Sequence, residues 1–216
     1  MGIIASSGVG SFERKIGNIV TYLSRRKNVV RVYRMGKRNP RTGSQQLVRA
    51  RFSVLGRLAL DFVDAVDLGY SRRAKLRETN AANVFMKANW EAVSVTSPTD
   101  ISVNYADLKV ADGSQRMVSF GVADWGEHDH LHISVPFEGN VGGTYSDGSD
   151  TVYLFAYVPE LEFGLLSGGA TRSSDAAVLV APASWTGMTA HLYGFTVSKN
   201  GDNVSKSTYI GRGEVQ

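Results

Sequence analysis

The sequence predicts an α+β protein in which a basic N-terminal arm, a β-hairpin and two helices precede an antiparallel immunoglobulin-like β-sandwich. Three observations lead to this prediction. A helical apolar periodicity follows Asn39-Pro40, short β-type runs fill the chain from Ile101 onward, and basic residues crowd into the first 80 positions. The Ser97-Pro98-Thr99 break divides a module of residues 1–97 from a sandwich domain of residues 98–216.

An extended arm and a hairpin open the chain. Glycine and serine are frequent in residues 1–17, which therefore have little capacity to form a core. β-branched and aromatic residues fill residues 18–24 and 29–34, and the basic segment between them is typical of a hairpin turn. Because an isolated hairpin is marginal in water, we expect this one to pack on the helix or on a neighbouring molecule.

A helix is predicted directly after the rigid Asn39-Pro40 turn. Proline fixes its own φ and restricts the residue before it, and Thr42 or Ser44 can then cap the helix. Leu68-Gly69-Tyr70 predicts the end of the helix, and a basic connector leads to a second helix over residues 79–90. Apolar residues at spacings of three and four form the predicted core stripe: Val48, Phe52, Leu55, Ala59, Phe62 and Val66.

Seven or eight short strands are predicted beyond residue 100. Turn clusters separate them, and Asn200-Gly201 is the strongest hairpin signal in the chain. Because the chain has no cysteine, disulfides and thiolate chemistry are excluded, and the apolar core alone must hold the sandwich. The strands are predicted near residues 101–105, 108–111, 116–123, 130–136, 151–158, 176–181, 189–198 and 204–210.

The charge is distributed unevenly along the chain. Residues 1–80 contain 17 of the 24 Lys and Arg and 5 of the 20 Asp and Glu, a net charge of +12, and the remainder has a net charge of −8. Such a split is typical of surfaces that meet nucleic acid or the acidic part of another copy, although solvation of the helices is a further explanation. The residues expected to contact nucleic acid or another subunit are Arg25, Arg26, Lys27, Arg34, Lys37, Arg38, Arg41 and Arg49.

Several motifs resemble an uncharacterised family of Bacteroides-group bacteria and their phages. The N-terminal motifs are Gly2-Ile3, Gly10-Ser11-Phe12, Lys15-Ile16-Gly17 and Asn39-Pro40-x-Thr42-x-x-Gln45-x-x-x-Arg49-x-x-Phe52. The C-terminal motifs are His191-Leu192-Tyr193-Gly194-Phe195 and Ser205-Lys206-Ser207-x-Tyr209. The Asn-Pro-x-Thr-x-x-Gln segment is also similar to one found in phage virion structural proteins. The resemblance implies a part of a virion rather than an enzyme.

Three of the four histidines lie in Glu127-His128-Asp129-His130-Leu131-His132. On a strand, His128, His130 and His132 share one face at a spacing that zinc or copper can use. No fourth ligand is identifiable, and the alternative is a polar strand end and loop. The common phosphate-binding, nucleophile-elbow and zinc-protease motifs are missing from the sequence, and Asp147-Gly148-Ser149-Asp150 predicts a turn rather than a calcium loop.

The resemblance therefore implies a non-enzymatic phage virion structural protein, such as a head–tail or ring component, that needs no cofactor. It is expected to oligomerise through its basic N-terminal module and to contact other virion proteins. Nucleic-acid binding is the alternative function, and a metal-dependent enzyme that uses the histidine strand is the third hypothesis. The chain has neither an 18-residue apolar run nor a secretory signal, which predicts no membrane association. The expected location is the virion, assembled in the bacterial cytoplasm, or the cytoplasm itself if a prophage or host encodes the protein.

Overall fold

The protein has an α+β fold with antiparallel sheets, as the sequence predicts. A computed structural model describes residues 2–4, 15–24, 27–33, 41–126 and 131–216. The α-helices in these residues are α1 (Gly43–Asp61), α2 (Val63–Leu76) and α3 (Ala81–Ala88). The strands are β1 (Gly2–Ile4), β2 (Lys15–Ile16), β3 (Ile19–Ser24), β4 (Lys27–Val32), β5 (Val93–Ser97), β6 (Asp100–Val103), β7 (Ser119–Phe120), β8 (Asp124–Trp125), β9 (His132–Glu138), β10 (Thr151–Val158), β11 (Phe163–Leu166), β12 (Ala170–Thr171), β13 (Ala176–Val180), β14 (Thr189–Val197) and β15 (Thr208–Glu214).

The chain divides into two compact units, Met1–Gln45 and Gln46–Gln216. The boundary expected between residues 97 and 98 falls inside the second unit. The helices and the strands of that unit share one apolar core, in which the ring of Phe62 lies 4.8 Å from that of Phe155 and 4.7 Å from that of Tyr157. Residues 46–97 are therefore packed on the sheet and do not form a separate helical module.

The N-terminal unit contains a four-stranded antiparallel sheet in the order β1-β4-β3-β2. The predicted hairpin is confirmed as β3 and β4, and its register pairs Ile19 with Val32 and Tyr22 with Val29. β1 adds to the outer side of β4, where Ile3 pairs with Val29. The hairpin thus gains strands on both sides, which an isolated two-stranded ribbon needs for stability in water.

The predicted long helix is two helices, α1 and α2, that meet at Phe62. Four residues of the predicted core stripe are buried, namely Leu55, Ala59, Phe62 and Val66. The prediction is wrong for Val48 and Phe52, which are 54% and 56% exposed. The aromatic partners that the sheet offers to this stripe lie around Phe62, at the far end of α1. None of the helices in the described ranges is long and apolar enough to cross a membrane.

The predicted helix end at Leu68-Gly69-Tyr70 is wrong, because α2 continues to Leu76. A Cβ on Gly69 would lie 2.5 Å from the carbonyl oxygen of Val110. Glycine therefore allows a loop to approach the helix closely here and does not end it. The neighbouring Tyr70 is fully buried, and its hydroxyl donates to the Lys109 carbonyl at 2.7 Å.

The second predicted helix is confirmed as α3. Its N-terminus is capped by Asn80, whose side chain accepts a hydrogen bond from the Asn83 N–H at 2.8 Å. Capping of this kind satisfies one of the N–H groups that the first helical turn leaves free. Val84 and Phe85 on α3 enter the same core as Phe62.

The second unit is organised around a five-stranded sheet in the order β11-β10-β14-β15, with β12 also paired to β10. Successive side chains of a strand point to opposite faces, and most residues of β10 and β14 are apolar or aromatic. Both strands therefore present apolar residues to both faces of the sheet. Phe155 and Tyr193 face the core that contains the helices, whereas Leu154 and Leu192 face a second core. The central strands are consequently buried on both sides.

A smaller sheet covers the second core. Its strands run in the order β13-β9-β7, with β8 also paired to β9. Ile133 and Leu179 from this sheet lie in one cluster with Leu154 and Leu192 of the larger sheet, together with the buried Trp185. The second unit therefore has three layers: helices, a five-stranded sheet and a smaller sheet.

Several predicted strand limits are wrong. Residues 108–111 are a loop, because the Asn89 side chain accepts from the Lys109 N–H at 2.6 Å and donates to its carbonyl at 2.9 Å, in place of a neighbouring strand. Residues 116–123 contain only the two-residue β7, and the strand predicted at 204–210 begins at Thr208. The antiparallel hairpin around Asn200-Gly201 is confirmed, and Gly201 adopts a φ of +70° there.

Candidate functional site

The basic residues predicted to form a contact surface lie mostly outside the described residues, namely Arg25, Arg26, Arg34, Lys37 and Arg38. Lys27 is the first residue of β4, opposite Ser24 in β3. Arg41 lies just before α1 and Arg49 lies within it, and both are exposed. Of the eight residues predicted to contact nucleic acid or another subunit, the structure therefore describes Arg41, Arg49 and the backbone of Lys27.

An exposed apolar face lies on the sheet of the N-terminal unit. Ile19 and Leu23 lie on the same side of β3 because they are four residues apart, and Val32 of β4 pairs directly with Ile19. Their exposed fractions are 45%, 44% and 69%. We call Ile19, Leu23 and Val32 the N-terminal apolar face. Clustered exposed apolar side chains of this kind are typical of surfaces that bind another protein.

The opposite side of this sheet has a different character. Val29 is buried there, and the guanidinium carbon of Arg31 lies 5.7 Å from the centre of the Tyr22 ring. A cation above an aromatic face is a favourable arrangement that also holds the arginine in place. The two sides of the sheet thus differ, with one apolar and one partly covered by Arg31.

The predicted histidine strand is only partly described. His128 and His130 lie outside the described residues, and His132 is the first residue of β9, opposite Val180. Within the ranges that the structure describes, no group of three histidine or carboxylate side chains is placed to hold a metal ion. The metal hypothesis stays a prediction for His128, His130 and His132.

The fourth histidine, His191, lies in a surface cleft of the second unit, with a volume of about 440 Å³. The ring of His191 stacks on Tyr105 at 4.4 Å between centres, and its Nδ1 lies 2.9 Å from the Tyr209 hydroxyl. The Tyr193 hydroxyl donates to the Tyr105 carbonyl at 2.7 Å, which holds the 3₁₀ turn Tyr105–Asp107 over the sheet. We call this the histidine cleft, lined by Val103, Asn104, Tyr105, Ala106, His191, Tyr209 and Arg212.

A β-bulge brings the polar residues of β15 into the histidine cleft. The register pairs Leu192 with Gly211 and the next residue, Tyr193, with Tyr209, so that Ile210 is the extra residue. A bulge shifts the alternation of side chains by one position. As a result Tyr209 and Arg212 both accompany His191, which pairs directly with Arg212 across the strands.

Burial favours the neutral form of the His191 ring. Loss of water contact lowers the pKa of His191, the nearby Arg212 lowers it further, and Glu160 opposes them. Burial also raises the pKa of Tyr209, so its hydroxyl stays protonated. The histidine cleft is therefore a site of hydrogen-bonding aromatic side chains with one neighbouring guanidinium.

A second cleft of about 260 Å³ adjoins the first and shares Tyr105 with it. Asp61 accepts a hydrogen bond from the Tyr157 hydroxyl at 3.3 Å, and burial raises the pKa of this carboxyl. Arg57 and Glu162 form an exposed ion pair at 2.8 Å on its rim. These contacts join α1 to β10 and to the turn that follows it, and they are sufficient to explain the polar residues here.

The Asp147-Gly148-Ser149-Asp150 segment is a turn, as predicted. Asp147 accepts hydrogen bonds from the Ser149 N–H and hydroxyl at 2.9 and 2.7 Å, and it pairs with Lys199 at 2.8 Å. Asp150 is buried beside the equally buried Arg172, whose Nε lies 3.4 Å from the carboxylate. The Gln115 amide also donates to Asp150 at 2.6 Å. A buried, paired carboxylate is a structural element of these loops rather than a cation site.

The sequence prediction missed the histidine cleft. His191 lies near the start of β14, where polar and apolar residues alternate over residues 189–192 before the strand becomes buried on both faces, and a short alternation of this kind does not indicate a site. The residues around it come from the turn at Tyr105 and from Arg212, which are distant in sequence. Only the bulge and the fold of the 3₁₀ turn assemble the site, and neither has a signal in a single sequence.

Comparison with known proteins gives one match. Residues 10–211 match a family described as a family of unknown function, DUF6266. The match extends over both compact units and nearly the whole chain. No curated protein and no solved structure matches the chain.

Proposed function

We propose that this chain, which belongs to the family of unknown function DUF6266, is a non-enzymatic structural protein of a phage virion that assembles through its N-terminal unit. The observation that carries the proposal is the N-terminal apolar face, where three large apolar side chains are exposed on one side of a small sheet. Burial of apolar area of this kind against another protein is favourable, because it removes the area from water. The similarity of residues 39–45 to a segment of phage structural proteins supports the same role.

Charge supports another copy of the chain as the partner. Residues 1–45 contain ten Lys and Arg and one Glu, a net charge of +9, whereas residues 46–216 have a net charge of −5. Opposite charges on the two units of neighbouring copies attract, and like charges disfavour contact between two N-terminal units. A head-to-tail contact of this type is heterologous and closes into a ring or continues as a filament.

The body of such a subunit is, in this proposal, an immunoglobulin-like sandwich formed by the two facing sheets of the second unit. The support is their shared apolar core of alternating inward side chains, which no disulfide reinforces. The helices on the other side of the larger sheet are an addition to that architecture.

Replacing the apolar face tests the proposal. We expect the parent protein to form rings or larger assemblies in solution, and the double variant Ile19→Ser/Val32→Ser to be a folded monomer. Both side chains are exposed, so their loss removes little from the core. Light scattering with electron microscopy, before and after nuclease treatment, measures the size of the particles.

A matched control uses two exposed valines of the second unit. Val122→Ser/Val141→Ser removes comparable apolar area from side chains that are 89% and 59% exposed. This control should retain the assembly of the parent. A parent that stays monomeric at high concentration, or a face variant that assembles normally, contradicts the proposal.

Nucleic-acid binding is the second candidate, because the net charge of +9 in residues 1–45 also suits a phosphate backbone. This function predicts tight DNA binding by a monomer, with an affinity that falls with salt at a slope of about −0.9 per phosphate contact. A gel titration at two salt concentrations separates the candidates. Assembly that survives nuclease favours the virion role.

A further inference from the structure

We infer that the histidine cleft binds an acidic saccharide, a sugar ring that carries a carboxylate. The inference concerns the second unit alone and does not depend on assembly through the N-terminal unit. It rests on three features of the cleft: aromatic side chains, hydrogen-bonding groups of both kinds, and one guanidinium that forms no ion pair among the residues that the structure describes.

The aromatic side chains supply apolar surface for a ring. Tyr105, His191 and Tyr209 line a cavity of about 440 Å³, within the range of small-molecule sites. Tyrosine presents an apolar ring and a polar hydroxyl in the same side chain. A sugar has the same two-sided character, because its C–H groups form an apolar face and its hydroxyls surround the rim.

The polar groups of the cleft include donors and an acceptor. When the Tyr209 hydroxyl donates to Nδ1 of the neutral His191 ring, the ring hydrogen lies on Nε2, which is then a donor. The Tyr209 hydroxyl, whose hydrogen then lies on the His191 side, remains an acceptor of hydrogen bonds. The hydroxyls of a sugar both donate and accept hydrogen bonds, so this mixture suits a polyhydroxylated ring better than a purely aromatic acid.

Arg212 supplies the preference for a carboxylate. It is exposed, lies directly across from His191 and has no ion-pair partner within the described ranges. The planar guanidinium fork matches a carboxylate with two parallel hydrogen bonds. The bulge at Ile210 places this fork beside the aromatic side chains, so a ring and its carboxylate can be held together.

Nuclear magnetic resonance of the full-length protein tests the inference. The probes are galacturonic acid and its trimer, and the readout is the imidazole resonances of His191, assigned by their loss in His191→Gln. We expect these resonances to shift and saturate with the trimer. Arg212→Gln should weaken the binding at least tenfold, whereas Arg77→Gln, an exposed arginine at the end of α2, should leave it unchanged.

Two comparison ligands make the outcome decisive. Glucose with maltotriose carries the ring without the carboxylate, and benzoate carries the carboxylate without the hydroxyls. Equal affinity for the neutral sugars overturns the role of Arg212, and a preference for benzoate overturns the saccharide. No shift of the His191 resonances with any uronate overturns the inference as a whole, whether or not the protein assembles.

Discussion

At the residue scale, similar side chains in one pattern have different environments. Phe52 and Phe62 belong to the same apolar stripe, but Phe62 is fully buried and Phe52 is 56% exposed. Periodicity predicts which side of a helix is apolar, and it contains no information about where the covering sheet ends. His191 shows the same limit, because its partners Tyr105 and Arg212 are brought to it by tertiary structure.

The first prediction concerns the pH dependence of stability. Burial and Arg212 lower the pKa of His191, so the unfolded chain binds this proton more readily than the folded one. The contribution of neutral His191 to the free energy of unfolding is therefore fully present above the ordinary histidine pKa of about 6.5. It is lost as the pH falls from there towards the lower pKa of the folded state. Urea unfolding of the parent and of His191→Gln, at several pH values between 7.5 and 5.5, measures the difference.

We expect the parent to lose more stability on acidification than His191→Gln does. The other titrating groups are common to both proteins, so they cancel in the comparison. Equal losses for the two proteins contradict the prediction. In Arg212→Gln the pKa of His191, read from its resonances, should rise because one positive neighbour is removed.

At the scale of elements, the sequence predicts the hairpin β3–β4, the helix α3 and the strand β10 well, because each has a clear local pattern. It fails where one residue type serves two purposes. Glycine at position 69 is compatible with a helix end and with a close approach of another segment, and only the position of Val110 decides between them. The loop at 108–111 has the residue pattern of a strand because Leu108, Val110 and Ala111 are apolar and buried, although Asn89 takes the place of a neighbouring strand.

The second prediction compares two helical glycines. Gly69→Ala places a Cβ against the Val110 backbone, and we expect it to destabilise the protein by about 1–3 kcal/mol. Gly56→Ala, in α1, meets nothing within 4 Å and should stabilise the protein by about 0.5–1 kcal/mol through helix propensity. Denaturant unfolding of both variants measures the difference, and equal stabilities contradict the assigned role of Gly69.

At the scale of the whole molecule, the sequence predicts the α+β class but not the layering. The change from helical to strand patterns near residue 97 resembles a domain boundary, whereas the two parts share a core around Phe62 and Phe155. Both faces of β10 are apolar, which is typical of a strand covered on two sides. This pattern indicates that a further layer packs on the sheet. The pattern of one strand, however, does not indicate that helices provide that cover.

The third prediction is that all three layers of the second unit unfold together. Phe62→Ala should lower the free energy of unfolding by about 3–5 kcal/mol. It should shift the unfolding midpoint of the distant second core as far as that of the helices. The buried Trp185 reports on that core when Trp90 and Trp125 are replaced by Phe, and circular dichroism reports on the helices. Phe52→Ala is the control and should change stability little. A Trp185 transition that does not move with Phe62→Ala contradicts a single cooperative unit.

The position of the central sheet in the chain has a consequence for synthesis. The helices leave the ribosome first, and the Phe155 ring that covers Phe62 is added about 90 residues later. At roughly 5–20 residues per second, the apolar stripe of the nascent helices waits about 5–20 seconds for its partner strand. During that interval the stripe is open to solvent and to other nascent chains on the same messenger. A chaperone that holds the growing chain between α3 and β10 would therefore decide how much of the protein reaches its folded state.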